Sequence, residues 1–176
     1  GQTEPVVLTD CDVDASNLPL VLPPEIREEH PFTGGSKARI HAETCLACGQ
    51  CEDLCRFEAV YFDGPTNGSV PKTYRIDPVL CEGCGLCVRF CAPGAIVCAP
   101  AETGRWFVSK TRWGEMVHAH LNPAAGNTGK LVQVLRQKAR ELAAPAHRLI
   151  LTDGAPGIGC PVIASLTGAD LALLVA

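Results

Sequence analysis

Two cysteine-rich stretches decide the fold of this chain: CLACGQCEDLC at residues 45–55 and CEGCGLCVRFC at residues 81–91. Each spaces its cysteines as C-x2-C-x2-C-x3-C, and the second begins 36 residues after the first. The same offset aligns Gly49 with Gly85, so the similarity extends beyond the cysteines. The stretches therefore form an internal repeat, which predicts two similar structural halves.

The spacing of the cysteines predicts iron–sulfur chemistry. In a C-x2-C-x2-C turn three thiolates face one space, which suits three corners of a [4Fe-4S] cubane, and the fourth cysteine of each run ligates the other cluster. The predicted ligands are Cys45, Cys48, Cys51 and Cys91 for the first cluster, and Cys81, Cys84, Cys87 and Cys55 for the second. Structural zinc is the main alternative, and disulfides are a weaker one. Three cysteines outside the runs are expected to be small buried residues: Cys11, Cys98 and Cys160.

Residues 37–100 resemble the bacterial two-cluster ferredoxin, and the cysteine runs account for the resemblance. The proline that follows the fourth cysteine in that family is present as Pro93, one residue late. After Cys55 the proline is replaced by Arg56. The segment DGPTNGSVPK, residues 63–72, is rich in turn-forming residues and predicts a hairpin loop between the two halves.

Composition limits the class of protein. A formal net charge of -4 without a basic cluster argues against a nucleic-acid partner. The longest apolar stretch, residues 171–176, is too short to span a bilayer, and no signal-peptide pattern is present. These features predict a cytoplasmic protein without a membrane span. Because the chain begins with Gly1 and ends on LALLVA, which has the pattern of a strand without its following loop, we expect a fragment of a longer protein.

Apolar strands are predicted on both sides of the cysteine runs. VVLTD at residues 6–10, LILTD at 149–153 and LALLV at 171–175 are apolar on both faces, which is typical of a parallel sheet covered by helices. NTGKLVQVLRQKARELA, residues 127–143, predicts a covering helix that begins at Asn127 or Thr128 and has an apolar stripe. Ligands bind such sheets at the carboxyl ends of the strands.

Three motifs in these flanks, DCDVDASNL, GNTGKLV and DGAPGIGCPVIAS, resemble the MinD-like P-loop ATPases with an inserted ferredoxin domain, which belong to the Mrp-related superfamily. The resemblance implies that Asp10 and Asp12 form switch I, which orients the attacking water. It also implies that Asp153 is the Walker B acid for Mg²⁺, with Gly154 and Gly157 in switch II.

The Walker A motif of that family is not found in this sequence. A P-loop requires G-x-x-x-x-G-K-[ST], whereas here Lys130 is followed by Leu131 and no strand precedes it. We therefore expect ATPase activity of the intact family member and none from this chain alone. In the family, the P-loop strand lies between the strands represented by LILTD and LALLV. The resemblance thus implies a gap in the sheet, with flanks that are disordered, rearranged or paired with another copy.

Together these interpretations predict an α+β chain in which a ferredoxin-like domain is inserted in a partial α/β parallel-sheet P-loop ATPase fragment. The expected segments are 1–36 with switch I, 37–100 with two [4Fe-4S] clusters, and 101–176 with a connector, a helix and the Walker B and switch II motifs. The expected function is electron transfer coupled to nucleotide state. The expected cofactor of the intact protein, besides the clusters, is Mg-ATP. The expected partner is a redox protein, and a homodimer is also considered. The alternatives are an Fe-S scaffold or carrier and an interaction module with structural clusters.

Two histidines in the segment EMVHAHLN, His118 and His120, alternate as in a strand and would share one face. A paired metal site is one interpretation. No carboxylate or cysteine stands at matching spacing, so ordinary surface or core histidines are favoured. The same interpretation is given to His41 and His147.

Overall fold

The computed structural model of the chain describes residues 6–123, 125–146 and 148–175, so His147 lies outside the described residues. The strands are β1 (Val6–Asp10), β2 (Glu25–Ile40), β3 (Val60–Gly64), β4 (Thr73–Ile76), β5 (Ile96–Lys110), β6 (Gly114–Leu121) and β7 (Ile150–Asp153). The helices are α1 (Leu18–Val21), α2 (Gln50–Asp53), α3 (Leu86–Phe90), α4 (Thr128–Ala143) and α5 (Cys160–Leu166). Short 3-10 helices occur at Ala42–Thr44 and Ala144–Ala146.

The described residues divide into two compact units. The α/β unit contains residues 6–34, 102–122 and the part of the chain after 126. The cysteine unit contains residues 35–101 together with a short piece between 123 and 126. The chain passes from one unit to the other within the long strands β2 and β5.

A mixed five-stranded sheet contains most of the strands, in the order β2-β5-β6-β1-β7. β1 is parallel to both β6 and β7, as expected for the VVLTD and LILTD segments. β5 is antiparallel to β6, so the sheet is mixed, whereas the flanking strands predicted a parallel sheet. The turn between β5 and β6 spans only residues 111–113, and a connection that short can only join antiparallel neighbours.

The predicted covering helix is confirmed as α4, with Asn127 at its N-cap position. Its apolar stripe contacts β1 and β6, and Leu131, Leu135 and Ala139 are fully buried there. Burial of each leucine side chain stabilises the fold by about 1.5–3 kcal/mol. Packing against the sheet therefore accounts for this helix better than its capping does, because the Asn127 side chain makes no cap hydrogen bond.

The outer edge of the sheet departs from the prediction. Residues 171–175 were expected to form a strand, but they have no regular secondary structure and are exposed. Leu149 and Leu151, next to and within β7, are 67% and 59% exposed rather than buried. β7 is an edge strand of the five-stranded sheet, and within the described ranges its only strand partner is β1. An apolar segment without a neighbouring strand has no ladder to join, so its sequence preference for a strand is not realised.

The cysteine unit has a twofold internal repeat with the predicted 36-residue offset. α2 and α3 begin 36 residues apart, as do β3 and β5. His41 N–H donates to the carbonyl of Ala95 at 2.8 Å, and Asp77 N–H donates to the carbonyl of Ala59 at 2.8 Å. Both donors and both acceptors are equivalent residues of the two halves. Each half thus closes with a hydrogen bond to the other, as an interlocked repeat requires.

The predicted hairpin loop is present between β3 and β4, which pair antiparallel with Val60 opposite Ile76. Asn67 is its central side chain. The Asn67 Nδ2 group donates to the carbonyls of Ala42 and Cys45, at 2.8 and 2.9 Å. The loop between the halves therefore holds the first cysteine loop in place. None of the helices in the described ranges has the length and apolar character needed to cross a membrane.

Candidate metal centres

Four of the predicted ligands line one cavity in the cysteine unit. Three come from the first run, and the fourth, Cys91, is the last cysteine of the second run. These residues are Cys45, Cys48, Cys51 and Cys91, with Cys87 also on the lining. The rest of the wall is largely apolar and includes Ile40, Leu46, Leu54, Phe90, Pro93 and Ile96. The structure thus places Cys91 of the second run beside three cysteines of the first, and the same cavity also contacts Cys87, which the interlocking rule assigns to the second cluster.

The cysteines of the second predicted set lie in the same unit. Cys81 belongs to the buried apolar cluster of this unit, and Cys55 and Cys87 pack against that cluster. Equivalent cysteines of the two runs have matching environments: Cys45 and Cys81 are both 8% exposed, and Cys48 and Cys84 are both exposed. The two runs are therefore related by local structure as well as by sequence.

The backbone of the two cysteine loops follows the same path. In each loop three residues have positive φ angles, and these residues correspond at the 36-residue offset. They are Ala47, Gly49 and Glu58 at 52°, 84° and 51°, and Gly83, Gly85 and Gly94 at 65°, 75° and 66°. Left-handed backbone favours glycine, so alanine and glutamate at two of these positions are strained. The persistence of the conformation without glycine indicates that surrounding contacts impose it.

Backbone N–H groups point at cysteine sulfur atoms in both halves. Four such bonds have an N to Sγ distance of 3.4 Å: Ala47 to Cys45, Ala59 to Cys55, and Ala38 and Gly83 to Cys81. A donor at the sulfur stabilises the negative charge of a thiolate ligand. Ala47 and Gly83 are again equivalent residues, so this contact is part of the repeated loop.

Burial shifts the pKa of two of the predicted ligands, Cys51 and Cys87. Burial raises the pKa of the Cys51 thiol to about 11, and it also raises the pKa of the Cys87 thiol. Both groups are therefore thiols near neutral pH before metal binds. Thiolate is the form that ligates iron or zinc, so metal binding at these residues must release protons.

The donor set fits a multi-iron cluster. Across the described ranges, no three His, Cys, Asp or Glu side chains converge closely enough to hold a single metal ion. Five cysteines line a largely apolar cavity, and cysteine ligands in an apolar cavity are the environment that iron–sulfur clusters use. A ligand set made only of cysteine sulfur atoms suits both iron and zinc, so the softness of the ligands does not distinguish these metals.

The cysteines outside the runs differ from one another. Cys11 is fully buried, as predicted, whereas Cys98 and Cys160 are exposed, so the prediction was wrong for these two. Partial burial and the nearby Cys81 and Cys84 thiols raise the pKa of the Cys98 thiol. Cys98 therefore lies close to the second run, a location that the spacing of the runs does not reveal.

The two histidines of β6 differ in exposure, because His118 is buried and His120 is exposed. His118 is buried, and its Nε2 lies 2.9 Å from Ser109 Oγ. Burial, with a smaller contribution from His120, lowers the pKa of His118 to about 4, so the ring is neutral at physiological pH. The His118 ring also stacks on Phe107. This packing favours the interpretation as a core histidine over a paired metal site.

Asp10 at the end of β1 is fully buried. Its carboxylate accepts hydrogen bonds from the Ser16 hydroxyl at 2.8 Å and from the backbone N–H groups of Asp12 and Leu18 at 3.1 Å. Burial raises the pKa of this carboxyl group despite these bonds, and nearby Asp153 raises it further. The contacts show that Asp10 holds the loop that follows β1.

Asp153 ends β7 directly opposite Asp10 in the parallel register. Its carbonyl oxygen accepts a hydrogen bond from Cys11 N–H at 2.8 Å. The Asp153 side chain is exposed, as are Gly154 and Gly157, and Gly157 has a φ of 93°. The structure thus brings the predicted switch I and Walker B aspartates to one edge of the sheet, while Asp12 is half-buried beside them.

Comparison with known proteins identifies the cysteine-rich segment. Residues 44–95 match the family described as the 4Fe-4S dicluster domain. The chain is also 32% identical over 174 residues to uncharacterized protein MJ0578 of Methanocaldococcus jannaschii, an alignment that covers 97% of this chain and 56% of the relative. This chain therefore spans about half the length of that relative.

Two further relatives share a shorter region. The iron-sulfur subunit of the CoB–CoM heterodisulfide reductase of Methanocaldococcus jannaschii is 30% identical over 100 residues. A subunit of the H(2):CoB-CoM heterodisulfide,ferredoxin reductase of Methanothermobacter marburgensis is 30% identical over 98 residues. Each alignment covers 46% of this chain and 15% of the relative. The cavity, the repeated loops and these matches together show that the chain contains a ferredoxin-like 4Fe-4S domain that binds iron–sulfur clusters.

Proposed function

We propose that the chain is an electron carrier with two [4Fe-4S] clusters that exchange their fourth ligands. The first cluster would be held by Cys45, Cys48, Cys51 and Cys91, and the second by Cys81, Cys84, Cys87 and Cys55. The observation that carries the proposal is the presence of Cys91 on the wall of the cavity formed by the first run. When bound, such clusters supply reversible one-electron chemistry.

The residues of the chain would hold and insulate these clusters. The thiolates bind iron, the backbone N–H groups at Cys45, Cys55 and Cys81 stabilise negative charge, and the apolar wall limits access of water. Of the eight predicted ligands only Cys48 and Cys84 are exposed. Release of a cluster would require the unit to open, so resident clusters are favoured over the alternative of clusters carried as cargo.

Metal analysis of the anaerobically reconstituted protein tests this proposal. We expect about eight iron and eight sulfide ions per chain, and an EPR spectrum of the dithionite-reduced protein that shows two interacting clusters. The Cys160→Ala variant is the control, because Cys160 is an exposed cysteine outside the runs and should leave both values unchanged. Stoichiometric zinc, or about four iron per chain, would contradict the proposal.

A redox protein is the proposed partner. Two relatives are named as subunits of heterodisulfide reductases. Leu46 and Phe90 are 64% and 48% exposed although both line the cavity of the first run. An apolar rim beside a cluster suits a transient contact with another protein. A reducing compartment such as the cytoplasm is proposed because cluster assembly needs reduced thiols.

We further propose that the α/β unit is part of a MinD-like ATPase in a protein as long as the MJ0578 relative. The alignment with that relative spans both units of this chain, which supports a constant association of the sheet with the iron–sulfur domain. Asp10 and Asp153 meet at the carboxyl edge of parallel strands, where α/β sheets bind ligands. Nucleotide state would then influence electron transfer, with Mg-ATP bound by the longer protein.

Nucleotide binding by the longer protein tests this second proposal. We expect Asp153→Asn to weaken binding of Mg-ATP at least tenfold, since an amide cannot replace a carboxylate beside Mg²⁺. Asp14→Asn, an equal change of charge at an exposed residue of the loop after β1, should leave affinity unchanged. Calorimetric titration gives both values. Absence of binding by the unmodified longer protein, or equal affinity of both variants, would refute the assignment.

A further inference from the structure

We infer that the two clusters have unequal reduction potentials, and that the second cluster is reduced first because the Lys37 cation contacts the backbone of its ligand Cys81. The inference rests on the proposed function, since it requires both clusters to be bound. The first cluster denotes the set with Cys45, and the second denotes the set with Cys81.

The distribution of N–H donors is the first observation. Among the described residues, backbone N–H groups two or more positions away make three bonds to ligands of the second cluster, two at Cys81 and one at Cys55, and one to a ligand of the first, at Cys45. Nearer N–H groups add two bonds at Cys51 of the first set, from Glu52 and Cys51 itself, and one at Cys87 of the second set, from Val88. The second cluster thus has an excess of a single donor. Reduction adds negative charge that spreads onto the sulfur atoms, and the positive end of each N–H dipole stabilises it. More donors therefore raise the reduction potential.

A lysine adds to the asymmetry. The Lys37 Nζ group donates to the carbonyl oxygen of Cys81 at 2.6 Å, which places a cation beside a ligand of the second cluster. Lys37 is half-buried, so solvent screens its charge less than that of an exposed lysine. At the 36-residue offset the equivalent residue is Thr73, which is uncharged. The first cluster thus has no counterpart of this cation in the repeat.

The two ligand-bearing helices also differ in charge. Besides the ligand Cys51, α2 contains Glu52 and Asp53, whereas the equivalent residues of α3 are Val88 and Arg89. Asp53 is two residues from both Cys51 and Cys55, and Arg89 is two residues from both Cys87 and Cys91, so each charge stands between ligands of the two clusters. Glu52, Asp53 and Arg89 are also exposed and screened, so these helix charges distinguish the two clusters only weakly.

Unequal potentials would give an added electron a preferred location among the two clusters. When both clusters are bound, the second would hold the electron of a singly reduced protein, because Lys37 stabilises the added negative charge there. Lys37 acts as a positioning charge in this scheme, because it contacts the backbone of a ligand and not the iron. Its effect should therefore appear in one potential and leave iron content unchanged.

A redox titration followed by EPR tests the inference after iron analysis. With about eight iron per chain, we expect two one-electron steps whose equilibrium constants differ at least tenfold, which corresponds to about 59 mV. Lys37→Gln should lower the equilibrium constant of the reduction step at the higher potential by about threefold to tenfold. The step at the lower potential should not change. Lys37→Arg should restore the equilibrium constant of the step at the higher potential, and Lys110→Gln, an exposed lysine of the α/β unit, should move neither step.

The possible outcomes distinguish failure of the unequal potentials from failure of the electron-carrier function. Coincident steps in a protein with eight iron, or a shift of the lower step in Lys37→Gln, would overturn the inference and leave the electron-carrier function standing. A protein with about four iron or with zinc would overturn both. Equal shifts in the Lys37→Gln and Lys110→Gln variants would show that Lys37 acts only through total charge, which also contradicts the inference.

Discussion

The double variant Cys45→Ala, Cys55→Ala should lose nearly all iron, whereas the double variant Cys45→Ala, Cys91→Ala should keep about four iron per chain. Cys45 and Cys91 line one cavity, so removing both damages the first cluster only. Cys55 comes from the same run as Cys45 but is assigned to the second cluster, so its removal together with Cys45 damages both. Iron and sulfide analysis after identical anaerobic reconstitution measures the difference.

This pair of variants separates two arrangements that single substitutions cannot distinguish. Each double variant removes two cysteines, so the loss of thiols is matched. If each run held its own cluster, Cys45→Ala, Cys55→Ala would retain iron and Cys45→Ala, Cys91→Ala would lose it. That reversed pattern would contradict the exchange of the fourth ligand.

Gly83→Ala should destabilise the cysteine unit by about 3 kcal/mol or more, at or above the upper end of the usual range for one substitution. A Cβ at this residue would lie 1.9 Å from the carbonyl oxygen of Ser36, in backbone that cannot yield locally. Gly85→Ala is the matched control, because its φ of 75° is also left-handed but no atom lies within 4 Å of the added Cβ. Only the conformational cost of about 1–2 kcal/mol is expected there.

Denaturant unfolding of the reconstituted proteins, followed by circular dichroism and by cluster absorbance, compares these two variants. Gly83→Ala should have a much lower midpoint than Gly85→Ala and should bind less iron, since the Gly83 N–H donates to Cys81 Sγ. Equal midpoints for the two variants would show that the contact with Ser36 does not constrain the loop.

The cysteine unit was largely predictable from the sequence because cluster ligation is encoded locally. Spacings of two and three residues fix how each run folds around a metal centre, and the offset between the runs reveals the second half. The hairpin loop followed from its turn-forming residues, and α4 from its apolar stripe. Each of these signals lies within a short window of the chain, where local chemistry decides the structure.

The long strands could not be predicted in the same way. β2 contains Pro31, Gly34 and Gly35, which are typical of loops, yet it forms a 16-residue strand at the edge of the sheet. A proline is tolerated at an edge because its missing N–H is not needed in the ladder. The partner that makes β2 a strand, β5, lies far away in sequence. Local pattern therefore underestimated the extent of the sheet.

The candidate residues outside the cysteine unit show a similar limit. Asp10 was predicted as a switch residue from its motif, and the structure adds hydrogen bonds to Ser16 and Leu18 that hold a loop. Residues 171–175 have the composition of a strand but lack a partner among the described residues. Whether a cysteine is buried also depends on the whole fold, as exposed Cys98 shows.

Anomalous diffraction at the iron edge from crystals of the reconstituted protein tests the central claim most directly. The account predicts two separate four-iron peaks per chain, with Cys91 Sγ on the iron atoms of the Cys45 loop and Cys55 Sγ on those of the Cys81 loop. Peaks ligated only within single runs would contradict the exchange of ligands. A single zinc ion in place of either peak would contradict the electron-carrier function itself.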